Sequence, residues 1–173
     1  MSADNRVSME YLLARRWETR LMITWIVMTF LTAGTSIMSP VLSLACALTT
    51  LAMGLLLHVV TSTFITPSYN GLSGASRTMM GLPPVMISAL YFGMLNRWMM
   101  RMGFGRTFRT WVPAAAFCCL VGPMVPAIAS LPLIMGAVGS SFWSVRSDSP
   151  LALMPASLAI IIAIIMKFMV VPA

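Results

Sequence analysis

The feature that most constrains this chain is a long stretch without charge: residues 21–76 contain no Asp, Glu, Lys or Arg. Soluble domains carry about 25% charged residues, whereas this chain of 173 residues carries 9%, and 59% of it is apolar. The composition excludes an ordinary soluble domain and a disordered chain, because both would leave too much apolar surface in water. The sequence therefore predicts an all-α integral membrane protein that is polytopic.

Prolines and charges divide the chain into segments. Pro40 is typical of the first turn of a new helix, so it separates two spans within the uncharged stretch. Pro84 opens a shorter helix, which is either a short span or a re-entrant segment. Several prolines in the next apolar stretch favour one kinked span. We predict four or five short transmembrane helices, one of them proline-broken, over 21–38, 41–65, 84–98, 111–136 and 151–170.

This division gives two parts. Residues 1–20 form a polar, amphipathic N-terminal tail, and residues 21–173 form a single membrane-embedded helical domain. The tail carries acids as well as arginines and does not have the pattern of a secretory signal. Within it, residues 11–17 are predicted to form a short helix at the membrane interface, anchored by Trp17. On the last span, small residues at four-residue spacing permit close helix contacts: Ala152 with Ala156, and Ala159 with Ala163.

The arginines create a conflict over the number of spans. The positive-inside rule places the tail, with Arg15, Arg16 and Arg20, on the same side as the basic loop 97–109. That arrangement requires an even number of crossings between them, and the predicted segments give three. Either the segment 84–98 does not cross, which leaves four spans, or five helices form and the arginine bias is overridden. We favour five short helices.

The basic loop is the first candidate site. It contains four arginines and no acid, and Trp98 and Trp111 bracket it as interface anchors. Arginine guanidinium groups match the oxygens of phosphate, so the loop is predicted to bind the headgroup of a phospholipid such as cardiolipin. The alternative is plain anchoring of the helix ends at the headgroup layer. The candidate headgroup ligands are Arg97, Arg101, Arg106 and Arg109.

His58, the single histidine, is the second candidate. A histidine within a span suggests a haem or chlorophyll ligand, a proton relay or a polar contact between helices. A bis-histidine haem needs a second histidine, and a proton relay needs acids in the spans; the sequence supplies neither. We therefore predict an intramembrane polar contact, with Thr61, Thr63 or a neighbouring helix as the partner.

Metal and cofactor chemistry has little basis in the sequence. Cys46, Cys118 and Cys119 lie in apolar stretches without metal-ligand spacing, and the 18 methionines are scattered. We predict no metal and no cofactor other than bound phospholipid. We predict no nucleic-acid partner either, because the cations lie between apolar runs rather than on a charged face of a soluble element.

One short motif resembles a known family. The sequence Gly71-Leu72-Ser73-Gly74 resembles the serine motif of rhomboid intramembrane proteases. The resemblance implies Ser73 as nucleophile with a histidine on a later span as its base. No histidine follows Ser73, and Gly71 and Gly74 equally fit a turn. A rhomboid-like protease is therefore the weakest of three functional hypotheses.

The main hypothesis follows from the chemistry that the sequence lacks. An enzyme or ion-coupled pump normally needs intramembrane acids, a histidine pair, or a nucleotide or metal motif. We predict a non-catalytic accessory subunit of a larger energy-transducing complex, the respiratory chain or an ATP synthase. It would act in assembly, packing and lipid contact with other membrane subunits in the mitochondrial inner membrane, or alternatively a bacterial plasma membrane. The second hypothesis is a small transporter or channel, with the proline-broken segment 113–132 lining a path.

Overall fold

The computed structural model describes residues 3–61, 82–147 and 149–170, and within these ranges it contains helices and no strand. Short 3-10 turns at Gly122–Met124, Ala127–Ala129 and Pro150–Leu153 lie between helices in the second half of the chain. The α-helices are α1 (Ala3–Ser36), α2 (Pro40–Val60), α3 (Pro83–Ser88), α4 (Asn96–Arg101), α5 (Arg106–Val121), α6 (Ser130–Arg146) and α7 (Met154–Val170). A π-helical segment, Ala89–Leu95, joins α3 to α4 without a break, and we refer to the whole as helix 83–101.

Three helical stretches in the described part of the chain are long and apolar enough to cross a membrane: Pro40–Val60, Ala127–Arg146 and Leu151–Val170. The all-α prediction is confirmed for the described residues. The helices predicted over 41–65 and 151–170 are present, although residues 62–65 lie outside the described ranges. A count of four or five spans stays a prediction.

The N-terminal tail does not form a separate short helix over 11–17. Helix α1 runs without interruption from Ala3 to Ser36 and joins the tail to the apolar segment that follows. The reason is local: the segment contains no proline, and its first glycine is Gly34. Leu, Met, Ala, Arg and Glu are all good helix formers, so the change from polar to apolar residues near position 20 does not end the helix.

The prediction of one broken span over 111–136 is wrong in its extent. The chain forms two helices there, α5 and α6, which pack against each other as a hairpin. Pro123 and Pro126 fall in the connection, where they end α5, while Pro132 lies in the tolerant first turn of α6. Nothing breaks the helix again before Arg146, so α6 continues ten residues beyond the predicted end at 136.

Helix 83–101 lies at the centre of the bundle. Every residue of its π-helical segment is buried, and it contacts α1, α2, α5, α6 and α7. Tyr91 stacks on Trp25 of α1 with ring centroids 4.6 Å apart, and its hydroxyl lies 2.9 Å from the hydroxyl of Thr29. A helix surrounded by protein needs fewer apolar residues than one exposed to lipid. This explains why the sequence of this segment resembles that of a membrane span only weakly.

Hydrogen bonds fix the directions of the first helices. The Trp25 indole donates to the carbonyl of Thr50, and the Ser43 hydroxyl donates to the carbonyl of Thr32, so α1 and α2 are antiparallel. The pairs Thr29–Tyr91 and Glu18–Arg101 make helix 83–101 antiparallel to α1 as well. Helices α2 and 83–101 therefore run in the same direction, and the residues that join them, 62–81, lie outside the described ranges.

Serines of α6 satisfy backbone groups on both neighbouring helices. Pro113, inside α5, has no N–H to donate to the carbonyl of Arg109. The Ser141 hydroxyl donates to the carbonyl of Thr110 and lies 3.4 Å from that of Arg109. The adjacent Ser140 accepts a hydrogen bond of 2.9 Å from the amide of Ala156, near the start of α7. These bonds supply partners that the helices themselves lack.

Ser141→Ala is expected to lower the free energy of unfolding by about 1–3 kcal/mol, because it removes the hydroxyl that donates to the part-buried carbonyls of Arg109 and Thr110. In a Pro113→Ala background the helix regains its own N–H donor, so the same substitution should cost less than about 1 kcal/mol. Denaturant unfolding of the four variants in detergent micelles measures this coupling. Ser130→Ala, on the exposed end of α6, is the control. Equal costs in both backgrounds would show that Ser141 does not compensate for the proline.

Candidate functional site

The described arginines gather at one end of the bundle, which we call the basic end. There the N-terminal part of α1 meets the end of helix 83–101, α5 begins after a turn, and α6 ends. Gly103, with φ of 80°, forms that turn in a backbone conformation that other residues rarely adopt. The arginines at this end are Arg15, Arg16, Arg20, Arg97, Arg101, Arg106, Arg109 and Arg146.

The tail and the basic loop thus lie at the same end, as the positive-inside bias requires of a membrane protein. The predicted conflict came from counting crossings along the sequence. Because α2 and helix 83–101 run in the same direction, both end at the basic end. The number of crossings between the tail and the basic loop stays a prediction, because residues 62–81 lie outside the described ranges.

The four predicted headgroup ligands do not converge. Arg101 donates to Glu18 at 2.5 Å, and because that carboxylate is only 2% exposed, the pair fastens α1 to helix 83–101. Arg97 is half-buried on the same helix. Arg109 is half-buried, and its Nε is shielded from solvent. Arg106 lines a groove on the surface that described residues form.

That groove lies between α5 and α6 and has a volume of about 530 Å³. Arg106 and Thr110 line it from α5, and Phe142 and Arg146 line it from α6. The guanidinium of Arg146 lies 4.1 Å from the ring centroid of Phe142, which holds it in a cation–π contact. Among the described residues, no acid forms an ion pair with either arginine of the groove. Two guanidinium groups in a concave site can bind an anion.

Sequence reasoning missed Arg146. It lies beyond the predicted end of the broken span, and nothing in the sequence places it opposite Arg106. The available signal is local: Arg146 follows Phe142 and Trp143, and an arginine next to aromatic residues after an apolar helix is typical of the headgroup layer.

Asn96 is a second residue that sequence reasoning missed. It is buried in helix 83–101, and its side-chain amide donates to the carbonyl of Ser144 at 2.9 Å. The bond fastens the central helix to α6 close to the basic end. Its own Oδ1 and the hydroxyl of Ser144 are buried without a hydrogen-bond partner among the described residues.

His58 is buried in the last turn of α2. The backbone N–H of Thr61 donates to the carbonyl of His58, and the hydroxyl of Thr61 has no hydrogen-bond partner in the described part of the chain. Thr63, the other predicted partner, lies outside the described residues, as does the motif around Ser73. The polar-contact role of His58 stays a prediction.

The described residues contain no group of three or more His, Cys, Asp or Glu that could hold a metal ion. The three cysteines are free thiols. Comparisons of this chain with family models, with curated proteins and with solved structures give no match.

Proposed function

We propose that this chain is an integral membrane protein and a non-catalytic accessory subunit of a larger energy-transducing complex, the respiratory chain or an ATP synthase. It contributes packing, assembly and lipid contact. The complex lies in the mitochondrial inner membrane or, alternatively, in a bacterial plasma membrane. The observation that carries the accessory role is an apolar patch at the end opposite the basic end.

The outer surface supports insertion in a bilayer. The outward faces of α2 and α7 expose large apolar side chains along their length, such as Leu48, Leu56 and Ile165. Exposed threonines bond within their own helices: Thr24 donates to the carbonyl of Arg20, and Thr49 donates to that of Ala45. Such a surface needs no water to satisfy its polar groups.

The basic end supports an orientation. Trp17, Trp111 and Trp143 are exposed there beside the arginines, and exposed tryptophan is typical of the membrane interface. The opposite end carries Lys167, near the end of α7. By the positive-inside bias, the basic end faces the cytoplasm or the mitochondrial matrix.

The apolar patch lies on the connection between α1 and α2. Ile37 is 89% exposed and Met38 is 79% exposed, and Val41 follows them at the start of α2. A connection between helices that faces water is usually polar, whereas an exposed apolar patch marks an interaction site. We infer that a neighbouring membrane subunit covers this patch.

The interior favours an accessory role over the alternative of a transporter or channel. The central helix is packed on all sides, and Phe92 and Leu95 are fully buried. The carbonyl of Arg109, which Pro113 leaves without a helical donor, accepts from the hydroxyl of Ser141 at 3.4 Å. A conduction path needs polar groups along a water-filled cavity.

Native electrophoresis after mild detergent extraction tests this proposal. The protein is expected to co-migrate with a megadalton respiratory or ATP synthase band and to resist carbonate extraction from membranes. Ile37→Gln combined with Met38→Gln should remove it from that band without unfolding it, because both side chains are exposed. Ile128→Gln, on the other exposed connection at that end, is the matched control. Migration of the wild type as a lone small species would contradict the accessory role.

A further inference from the structure

We propose that the groove between α5 and α6 is one half of a binding site for a single anionic phospholipid. Arg106 and Arg146 bind its phosphate, and an adjoining groove between α1 and α5, lined by Phe30 and Phe108, takes an acyl chain. This inference depends on the membrane location given under the proposed function. It identifies the lipid that the subunit binds and the residues that bind it.

The phosphate half brings two positive charges together. Arg106 and Arg146 line the groove from two different helices, and the hydroxyl of Thr110 on its wall donates to the carbonyl of Arg106. Arg106 is the first residue of α5, where the helix dipole disfavours a positive charge. A bound phosphate between the two arginines offsets this unfavourable contact and matches guanidinium geometry.

The acyl half adjoins the phosphate half. Thr107 and Trp111 line both grooves, so the two lie on either side of these residues of α5. The second groove has a volume of about 280 Å³, and Phe30, Phe108 and Val112 give it apolar walls. Trp111 stands between the polar half and the apolar half, as tryptophan does at a membrane interface. A site that is cationic at one end and apolar at the other fits an amphiphile rather than a free anion.

The other basic groove lacks this combination. Arg15, Arg16 and Arg20 line a groove of about 460 Å³ against Met102. The guanidinium of Arg20 lies over the ring of Trp17, 5.6 Å from its centroid. No apolar groove adjoins it among those found in the described part of the chain. It provides general attraction to an anionic surface, whereas the α5–α6 groove provides a site for one lipid.

Native mass spectrometry of the delipidated protein with added phosphatidylglycerol tests the phosphate half. The wild type is expected to retain one phosphatidylglycerol more tightly than one phosphatidylcholine. Arg106→Gln combined with Arg146→Gln should weaken that binding about tenfold or more, because two charge-assisted contacts are lost. Arg15→Gln combined with Arg16→Gln removes two positive charges from the other groove and should weaken phosphatidylglycerol binding by less than about threefold.

A second pair of variants tests the acyl half without changing charge. Ala115 is exposed and lines the apolar groove, so Ala115→Phe should fill it and weaken phosphatidylglycerol binding about tenfold. Ala45→Phe, on an exposed face of α2, should have no effect. Equal weakening by both arginine pairs, or displacement of the lipid by millimolar inorganic phosphate, would overturn the proposal. A protein that carbonate extracts from membranes would instead contradict the proposed function.

Discussion

Arg101→Met is expected to lower the free energy of unfolding by about 3 kcal/mol, at the lower end of the range for breaking a buried ion pair. The substitution keeps the length of the side chain but leaves the carboxylate of Glu18 without its partner in a site that is 2% exposed. Arg101 itself is 25% exposed, and partial contact with solvent weakens the pair, which is why the lower end applies. The effect is large because the carboxylate of Glu18 would be left between two packed helices without an opposite charge.

A double variant distinguishes this explanation from a loss of packing. Glu18→Leu combined with Arg101→Met removes both charges and should recover all but about 1 kcal/mol of the wild-type stability. Denaturant unfolding in mixed micelles measures each variant. Arg16→Met, which removes an exposed arginine from the same end, should change the stability by less than about 0.5 kcal/mol. If Arg101→Met costs no more than Arg16→Met, the pair does not fasten α1 to the central helix.

Two helix starts marked by proline are local properties, and the sequence predicts them to within one residue. Pro40 begins α2, and Pro83, next to the predicted Pro84, begins α3, as expected for a residue without an N–H. The lengths of helices were predicted less well. Helix α1 continues through the polar tail, and α6 continues to Arg146, because no breaker stops them. Composition changes at both places, but composition alone does not end a helix.

The candidate site shows a second reason why the sequence predicts the structure only in part. Arg97, Arg101, Arg106 and Arg109 are neighbours in the sequence, yet the turn at Gly103 puts them on two helices with different neighbours. Arg101 meets an acid 83 residues away, and Arg106 shares its groove with Arg146. Charge density along the sequence indicates the end of the bundle at which the described arginines gather. Which arginines face inward depends on tertiary packing, which no local pattern reports.

Gly136→Ala is expected to lower the free energy of unfolding by about 2–3 kcal/mol, because α6 and α7 are too close there for a side chain. A Cβ at this position would lie 2.6 Å from the Cβ of Ala159 and 2.7 Å from the carbonyl oxygen of Pro155. The carbonyl belongs to the backbone and cannot rotate away, so the two helices must move apart. The small residues of α7 were predicted to permit close contact, and Gly136 is the partner that they meet.

Gly139→Ala, one turn along the same helix, is the matched control. Its Cβ would lie 3.6 Å from the nearest atom of Pro155, which is an ordinary contact, so alanine should be neutral or slightly stabilising there. Separation of α6 from α7 would also break the hydrogen bond from the amide of Ala156 to Ser140. Hydrogen exchange at that amide should therefore accelerate in Gly136→Ala and stay at the wild-type rate in Gly139→Ala. Equal exchange in the two variants would show that α6 and α7 are not held at this distance.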